Sequence, residues 1–260
     1  MQFTVLACDY DGTLATHGSV DQQTIRSLQI CRESGRKVLL VTGRELPELR
    51  TVFPELHLFD LVVAENGGLL FEPKSGAKTA LGPPPSAEFV ATLKRRGVEP
   101  ISLGHVIVAT HHPQETIVLE TIRDLGLELQ VIFNKGAVMV LPSGINKATG
   151  LAAALKHLNI SSEHVVGVGD AENDHTLLES CAVGVAVANA VPLLKAHADW
   201  VTEGTHGAGV QQLIARMLKN DLADLHASRV QGAGDEAQVA VDHKLATDDK
   251  LQGAESAERL

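Results

Sequence analysis

The stretch LACDYDGTL at residues 6–14 decides the fold of this chain, because an apolar strand-like segment ends there in two carboxylates. Side chains two positions apart on a strand point to the same face, so Asp9 and Asp11 can share one site where the strand stops. Gly12 and Thr13 let the backbone turn tightly and offer its N–H groups to an anion. The segment predicts a place for phosphate and a divalent cation, although a simple polar turn fits it equally well when it is taken alone.

Three later segments also place polar groups where apolar patterns end. The runs KVLLVTGR at 37–44 and VVGVGD at 165–170 each finish in polar residues, and AEND follows the second run. Between them, the loop GIN leads into an alanine-rich helical pattern that begins with Lys147. Ligands of an open parallel sheet bind outside the carboxyl ends of its strands, so all of these groups are expected at one site. The Thr42 hydroxyl and the Gly43 amide are suited to hold phosphate oxygens there.

Together, the four segments resemble the signature motifs of the haloacid dehalogenase (HAD) superfamily in order and in spacing. The resemblance covers about residues 1–220 and rests on DxDGT from Asp9, the threonine of the second motif at Thr42, the lysine of the third at Lys147, and GDxxND from Gly169. The VTGR form of the second motif, the AENGG segment and an insertion before the third motif look like the Cof-type branch, subfamily IIB. The resemblance implies an α/β fold with a HAD-like Rossmannoid core, and an inserted α+β cap of the compact C2B type.

The resemblance implies a catalytic role for three residues. Asp9 is expected to be the nucleophile that forms an aspartyl-phosphate, which divides one difficult step into two easier ones. Asp11 is expected to protonate the leaving alcohol and then to activate water. Relatives that hold the phosphoaspartate carry Thr at this position, so Asp11 favours rapid hydrolysis or transfer. Lys147 is expected to neutralise charge that would otherwise repel the nucleophile.

The same resemblance implies a Mg²⁺ site built from hard oxygen ligands. We expect Asp9, the backbone carbonyl of Asp11 and Asp170 to bind the metal, together with waters and the substrate phosphate. Asn173 and Asp174 are expected to orient metal-bound waters or to hold neighbouring side chains, and which of the two touches the metal stays open.

Other residues are candidates for binding the substrate. Thr42 and Gly43 are expected to bind the phosphate. Arg44 and Asn66 lie at or just past strand ends, where they either reach the substrate or brace a loop. In the insertion, four residues at strand ends or turns are candidates to overhang the site: His111, His112, Asn134 and Lys135. The adjacent histidines point to opposite faces of a strand and make a poor chelate.

Alternating strand and helix patterns predict a parallel sheet with helices on both faces and a core domain that is discontinuous in sequence. The core is predicted at 1–82 and 143–225, and the cap at 83–142. The cap shows the order αββαββ, with helices at about 86–96 and 113–125 and strands near 98–102, 105–111, 127–133 and 137–141. The acidic stretch 226–260 has no aromatic residue and no lasting helical stripe, so we predict a disordered tail, with an unknown protein partner as an open question.

Bulk properties exclude several classes of protein. A formal net charge of −10 argues against nonspecific nucleic-acid binding, which uses basic patches. Cys8, Cys31 and Cys181 are widely separated in apolar surroundings, which favours small buried residues in a reducing compartment. No apolar run is long enough for a membrane span, and no secretory signal begins the sequence, so we expect a cytoplasmic protein without a membrane partner.

The function predicted first is a Mg²⁺-dependent phosphatase. Its partner would be a small-molecule phosphate ester such as a sugar phosphate or phosphoglycolate, because the short cap leaves modest room above the phosphate. A phosphomutase similar to the phosphomannomutases would use the same residues. A binding module that has kept the fold and lost the chemistry is the alternative from a different class.

Overall fold

The computed structural model describes residues 1–225, and the predicted tail at 226–260 lies outside them. Met1–Asp221 forms one compact unit, and the chain from Leu222 onward belongs to a second unit. The described strands are β1 (Val5–Cys8), β2 (Lys37–Val41), β3 (Leu61–Ala64), β4 (Leu69–Phe71), β5 (Lys78–Ala80), β6 (Ser102–Leu103), β7 (Val108–His111), β8 (Leu129–Asn134), β9 (Ala137–Pro142), β10 (Val165–Gly169), β11 (Val183–Ala186) and β12 (Trp200–Val201). The described α-helices are α1 (Gln22–Glu33), α2 (Leu46–Val52), α3 (Ala87–Arg95), α4 (Glu115–Asp124), α5 (Lys147–Leu158), α6 (His175–Glu179), α7 (Pro192–His197) and α8 (His206–Asn220).

The larger sheet brings the predicted motifs to one edge. Its strand order is β12-β11-β10-β1-β2-β3-β4-β5, and β1 pairs in parallel with both β10 and β2. Cys8 of β1 pairs with Val168 of β10 and with Leu40 of β2, so the chain leaves all three strands at the same level. Asp9 and Asp170 therefore leave neighbouring strands side by side. The central strands are buried along their whole length, as expected for a sheet covered on both faces.

The prediction of a parallel sheet needs one correction, because β4 pairs antiparallel with both β3 and β5 and makes the sheet mixed. A parallel connection needs a crossover of a dozen or more residues, whereas only the short 3-10 turn Glu65–Gly67 joins β3 to β4. Asn66 and Gly67 turn the chain with positive φ angles of 52° and 105°. A Cβ on Gly67 would lie 2.0 Å from the backbone oxygen of Asn146, so only glycine fits there. The sequence analysis also did not predict helices α2, α7 and α8.

The smaller sheet forms the predicted cap, with the element order αββαββ. Its strand order is β6-β7-β9-β8, and all of its pairs are antiparallel. One face packs against α3 and α4 around a cluster that includes Phe89, Val118 and Val140. The other face carries a second apolar cluster that includes Ile107 and Met139. The domain limits at 83 and 142 stay a prediction.

None of the described helices has both the length and the apolar character that a membrane crossing needs. All three cysteines are buried, and none forms a disulfide bond.

Candidate active site

A buried ion-pair network lies at the centre of the site. The ammonium of Lys147, at the first turn of α5, is 2.5 Å from Asp9 Oδ1 and 2.6 Å from Asp174 Oδ1. Lys147 has no exposed surface. Asn146 caps the helix and exchanges hydrogen bonds with Thr149, which fixes the first turn and so the position of the lysine.

Asp174 holds the backbone as well as the lysine. Its second oxygen, Oδ2, accepts the N–H groups of Asp170 at 2.9 Å and Ala171 at 3.0 Å. Both oxygens of Asp174 are therefore engaged inside the protein. These contacts are those of a side chain that holds neighbouring groups in place, and whether Asn173 or Asp174 touches the metal stays open.

Burial and neighbouring charges shift the pKa values of the groups in this network. Burial raises the pKa of Asp9 to about 7, repulsion from Asp174 adds to the rise, and the Lys147 ammonium works in the opposite direction. Burial also raises the pKa of Asp170, while its hydrogen bond with Lys135 lowers it. The pKa of Lys147 lies above its ordinary value, because the carboxylates of Asp174 and Asp9 outweigh the effect of burial. Additional positive charge near Asp9 would favour its ionised form.

Asp170 collects donors from three parts of the chain. Thr13 Oγ1 donates to Asp170 Oδ1 at 3.3 Å, and Lys135 Nζ donates to Oδ2 at 2.5 Å. Asn189 Nδ2 lies 3.4 Å from Oδ2 and donates to the Gly12 carbonyl at 2.8 Å. The sequence analysis missed Asn189, which sits in the loop after β11 and carries no motif beyond a turn-forming amide.

The side chain of Asp11 is held by Arg44. The guanidinium donates from Nε to Asp11 Oδ2 at 2.6 Å and from Nη2 to Oδ1 at 2.7 Å, and it also pairs with Glu48. Arg44 lies over the Tyr10 ring, 5.5 Å from its centroid. Both oxygens of the expected general acid are therefore paired with Arg44, and the two roles predicted for Arg44 stay predictions.

The ends of β2 and β3 are tied together where the phosphate is expected. The Arg44 N–H donates to Thr42 Oγ1 at 3.1 Å, and the Asn66 N–H donates to the Thr42 carbonyl at 2.9 Å. Asn173 Nδ2 donates to Asn66 Oδ1 at 3.0 Å. Among the described residues, the Asn66 Nδ2 and Asn173 Oδ1 atoms are buried without a hydrogen-bond partner. The Asn66 amide is thus a donor available to an anion in the site.

The cap brings one of its four candidate residues, Lys135, to the carboxylate of Asp170. Lys135 contacts Asp170, as described above, whereas His112 pairs at 2.7 Å with Glu115 of its own cap. His111 is exposed at the end of β7, and the Oδ1 atom of Asn134 is buried without a partner among the described residues.

The donor set fits a divalent metal ion. Carboxylate oxygens of Asp9, Asp170 and Asp174 lie within 4.8 Å of one another, and all three residues are buried. Three buried carboxylates face the single buried ammonium of Lys147 in this cluster. Hard oxygen ligands with an excess of negative charge are those that Mg²⁺ takes in proteins.

Glu65 is a further residue that the sequence analysis did not single out. Its fully buried carboxylate accepts the backbone N–H groups of His105 at 2.9 Å, Val106 at 2.8 Å and Ile107 at 3.2 Å. These groups cannot then join a strand ladder, so β7 begins at Val108, whereas the sequence predicts a strand from 105. The carboxylate joins the turn after β3 to the start of the cap sheet.

Replacing Glu65 by glutamine is expected to lower the free energy of unfolding by about 2 kcal/mol, since an amide offers one acceptor oxygen in place of two and loses charge-assisted hydrogen bonds. Urea unfolding followed by circular dichroism measures the change. Glu120→Gln, at an exposed position of α4, is the matched control and should change stability by less than about 0.5 kcal/mol. Equal effects of the two substitutions would contradict the role given to Glu65.

Comparisons with known proteins identify the family. Residues 6–97 and 98–214 match the family described as haloacid dehalogenase-like hydrolase. The chain belongs to this family. The HAD-like hydrolase is 30% identical over 223 residues to a phosphoglycolate phosphatase of Methanothermobacter thermautotrophicus, a match that covers 82% of this chain and 98% of the relative. It is 28% identical to a phosphoglycolate phosphatase of Natronomonas pharaonis, over 83% of this chain and 98% of that relative.

Solved structures share the fold. A HAD/COF-like hydrolase from Plasmodium vivax superposes with a TM-score of 0.72 at 22% identity, over 84% of this chain and 96% of that one. A HAD subclass IIB sugar phosphatase superposes with a TM-score of 0.69 at 20% identity, over 82% of this chain and 98% of that one. These structures confirm the predicted α/β fold, and the family match confirms the predicted superfamily. Together with the family match, the phosphatase relatives confirm the prediction of an enzyme of the phosphatase class.

Proposed function

We propose that this HAD-like hydrolase is a Mg²⁺-dependent phosphatase that hydrolyses a small phosphate ester through an aspartyl-phosphate on Asp9. The observation that carries the proposal is the position of Asp9, buried at the carboxyl edge of the sheet with Lys147 Nζ 2.5 Å from Oδ1. A carboxylate that a neighbouring ammonium holds in one orientation is suited to attack phosphorus.

Mg²⁺, held by Asp9, Asp170 and the carbonyl of Asp11, would neutralise charge on the phosphate oxygens. Asp9 then attacks phosphorus, and the bond to the leaving alcohol breaks. Lys147 keeps Asp9 oriented, and the Asn66 amide and the backbone around Thr42 bind the phosphate oxygens. These groups act mainly by positioning and by electrostatic stabilisation, as phosphoryl transfer requires.

Asp11 gives a proton to the leaving alkoxide and afterwards takes one from the water that hydrolyses the aspartyl-phosphate. Each of these steps needs a carboxyl oxygen of Asp11 directed at the reacting groups. Both oxygens are paired with Arg44 in this structure, so Asp11 has to exchange that partner for substrate or water. The proton balance closes because the proton given in the first step is recovered in the second.

The substrate is a small molecule, because the cap lies close above the phosphate site. A Cβ built on Gly43 would be 3.4 Å from the sulfur of Met139 in β9, and Lys135 of the cap already contacts Asp170. The phosphoglycolate phosphatase relatives, matched over nearly their whole length, support a small phosphorylated acid as the substrate. A sugar phosphate is the second substrate class to test.

The test measures phosphate release from 2-phosphoglycolate, hexose phosphates and p-nitrophenyl phosphate, with Mg²⁺ or with EDTA. We expect release with Mg²⁺, its loss in EDTA and its recovery when excess Mg²⁺ is added back. Rapid acid quenching after mixing with ³²P-labelled substrate should leave label on the protein, and hydroxylamine should remove it. A folded, Mg²⁺-saturated protein that releases no phosphate, or that only transfers label to a second sugar phosphate, would overturn the proposal.

A further inference from the structure

A short turn of the cap places the ammonium group of Lys135 in the candidate active site. Asn134 and Ala137 form the last pair of the β8–β9 ladder, so Lys135 and Gly136 are the two residues of the hairpin loop. Both have positive φ angles, 47° and 87°, as the common two-residue hairpin turn requires. A tight turn of this kind holds the Cα and Cβ atoms of Lys135 in a defined position above the core.

The contacts of Lys135 are with groups of the proposed reaction centre. Its Nζ lies 2.5 Å from Asp170 Oδ2 and 3.2 Å from the backbone oxygen of Asp11. Among the lysines and arginines of the cap in the part of the chain that the structure describes, the other ion pairs join residues of the cap itself. His105 of the cap also reaches the core, 3.1 Å from Glu65, but at the turn after β3. The side chain of Lys135 is 46% exposed, so its ammonium can move within the site without losing buried packing.

The remaining surface of the cap above the site is mostly apolar. Ile132, Met139 and Ala109 alternate with the residues that pack against the cap helices, and they share a cluster on the opposite face of the sheet. Asn134 belongs to this face by the same alternation. A leaving group that carries many hydroxyls finds few hydrogen-bond partners there, whereas a single anionic group finds one ammonium.

We propose that Lys135 is a specificity-determining residue that pairs with a carboxylate on the alcohol portion of the substrate. The inference rests on the proposed function, and it names the substrate class as phosphorylated hydroxy acids in preference to neutral phosphate esters of the same size. A divalent cation bound by the Asp170 carboxylate would compete with Lys135 for the same oxygens. With the metal bound, the ammonium is left to pair with an anion that the substrate brings.

The test compares two substrates that differ in one charge. 2-Phosphoglycolate and 2-hydroxyethyl phosphate have similar size, and only the first has a carboxylate. Lys135→Met should lower kcat/KM for 2-phosphoglycolate roughly 10- to 100-fold, mainly through KM, because one charge-assisted contact is lost. The value for 2-hydroxyethyl phosphate should change less than about 3-fold, and Lys135→Arg should retain most of the preference. Lys94→Met, at an exposed cap position of α3, should leave both values unchanged.

A binding measurement separates this inference from the proposed function. Calorimetry with Mg²⁺ on the Asp9→Asn background, with and without Lys135→Met, reports affinity for the two esters when no turnover occurs. A loss of affinity confined to 2-phosphoglycolate would support Lys135 even if the protein released no phosphate. Equal losses for both esters, or no loss for either, would overturn the assignment while activity on other esters could still support a phosphatase.

Discussion

Replacing Asp9 by asparagine is expected to lower the rate of phosphate release at least about 10⁴-fold, the order of loss seen when a covalent nucleophile is removed. The asparagine amide has the same shape as the carboxylate but cannot form an acyl phosphate. Its oxygen can still accept the hydrogen bond from Lys147, so the site should stay assembled. Steady-state release from the best substrate of the panel measures the change, and quenched samples should carry no label.

The stability of Asp9→Asn provides the control for folding. Burial raises the pKa of Asp9 to about 7, which means that the folded protein binds a proton at Asp9 more readily than the unfolded chain does. That contribution to stability is fully present below the unfolded pKa of about 3.9 and is lost as the pH rises through about 7. At pH 8 and without metal, the neutral asparagine should therefore melt at the same temperature as aspartate or higher. An inactive variant that is also unfolded would say nothing about the nucleophile, whereas an active variant would exclude Asp9 from that role.

Replacing Lys147 by methionine is expected to lower the free energy of unfolding by about 3–5 kcal/mol, because it leaves two buried carboxylates without their counter-ion. Methionine has similar length, so the loss reports charge more than volume. Both Asp9 and Asp174 are within 2.6 Å of the ammonium, and all three residues are buried. Urea unfolding at pH 8 measures the effect, and phosphate release should be abolished in the same variant.

Two further variants show whether charge is the cause. Lys94→Met makes the same substitution at an exposed position and should change stability by less than about 0.5 kcal/mol. Adding Asp174→Asn to Lys147→Met removes one of the two stranded charges and should recover part of the loss, as contacting residues couple in a double-mutant cycle. A loss of less than about 1 kcal/mol in Lys147→Met, or no recovery in the double variant, would contradict the electrostatic account.

The positions of the main site residues follow from the sequence because they lie at the ends of strands. The parallel register of β1 and β10 brings Asp9 and Asp170 side by side. Asp11 lies three residues beyond the end of β1, and its side chain pairs with Arg44. Lys147 could be placed because it begins an alanine-rich helical pattern after a loop. These predictions need only local patterns and the rule that parallel strands meet at one edge.

Contacts between distant parts of the chain could not be predicted in the same way. The partners of Glu65 are backbone N–H groups 40 to 42 residues away, and a backbone group carries no sequence signal. Lys135 and Asp170 are 35 residues apart and follow strands of different sheets. The pairing of Arg44 with Asp11 also joins residues 33 positions apart, and the sequence carries no signal for it. The antiparallel pairing of β4 with β3 and β5 could not be predicted either, because the length of the connecting turn, not the apolar pattern, sets the direction of a strand.

The close approach of Gly67 to Asn146 makes the position of Lys147 depend on a residue that has no functional group. A methyl group at position 67 would have to push the start of α5 away by roughly an ångström, a displacement of the size that can cost a catalyst 10²-fold. Gly150 of α5 contacts the same turn, and a Cβ on it would lie 2.6 Å from the Cα of Gly67. Neither glycine can therefore be replaced by a larger residue without a clash. In a mutational scan of this enzyme, Gly67 and Gly150 should therefore rank with the charged residues of the site, although they take no part in the chemistry.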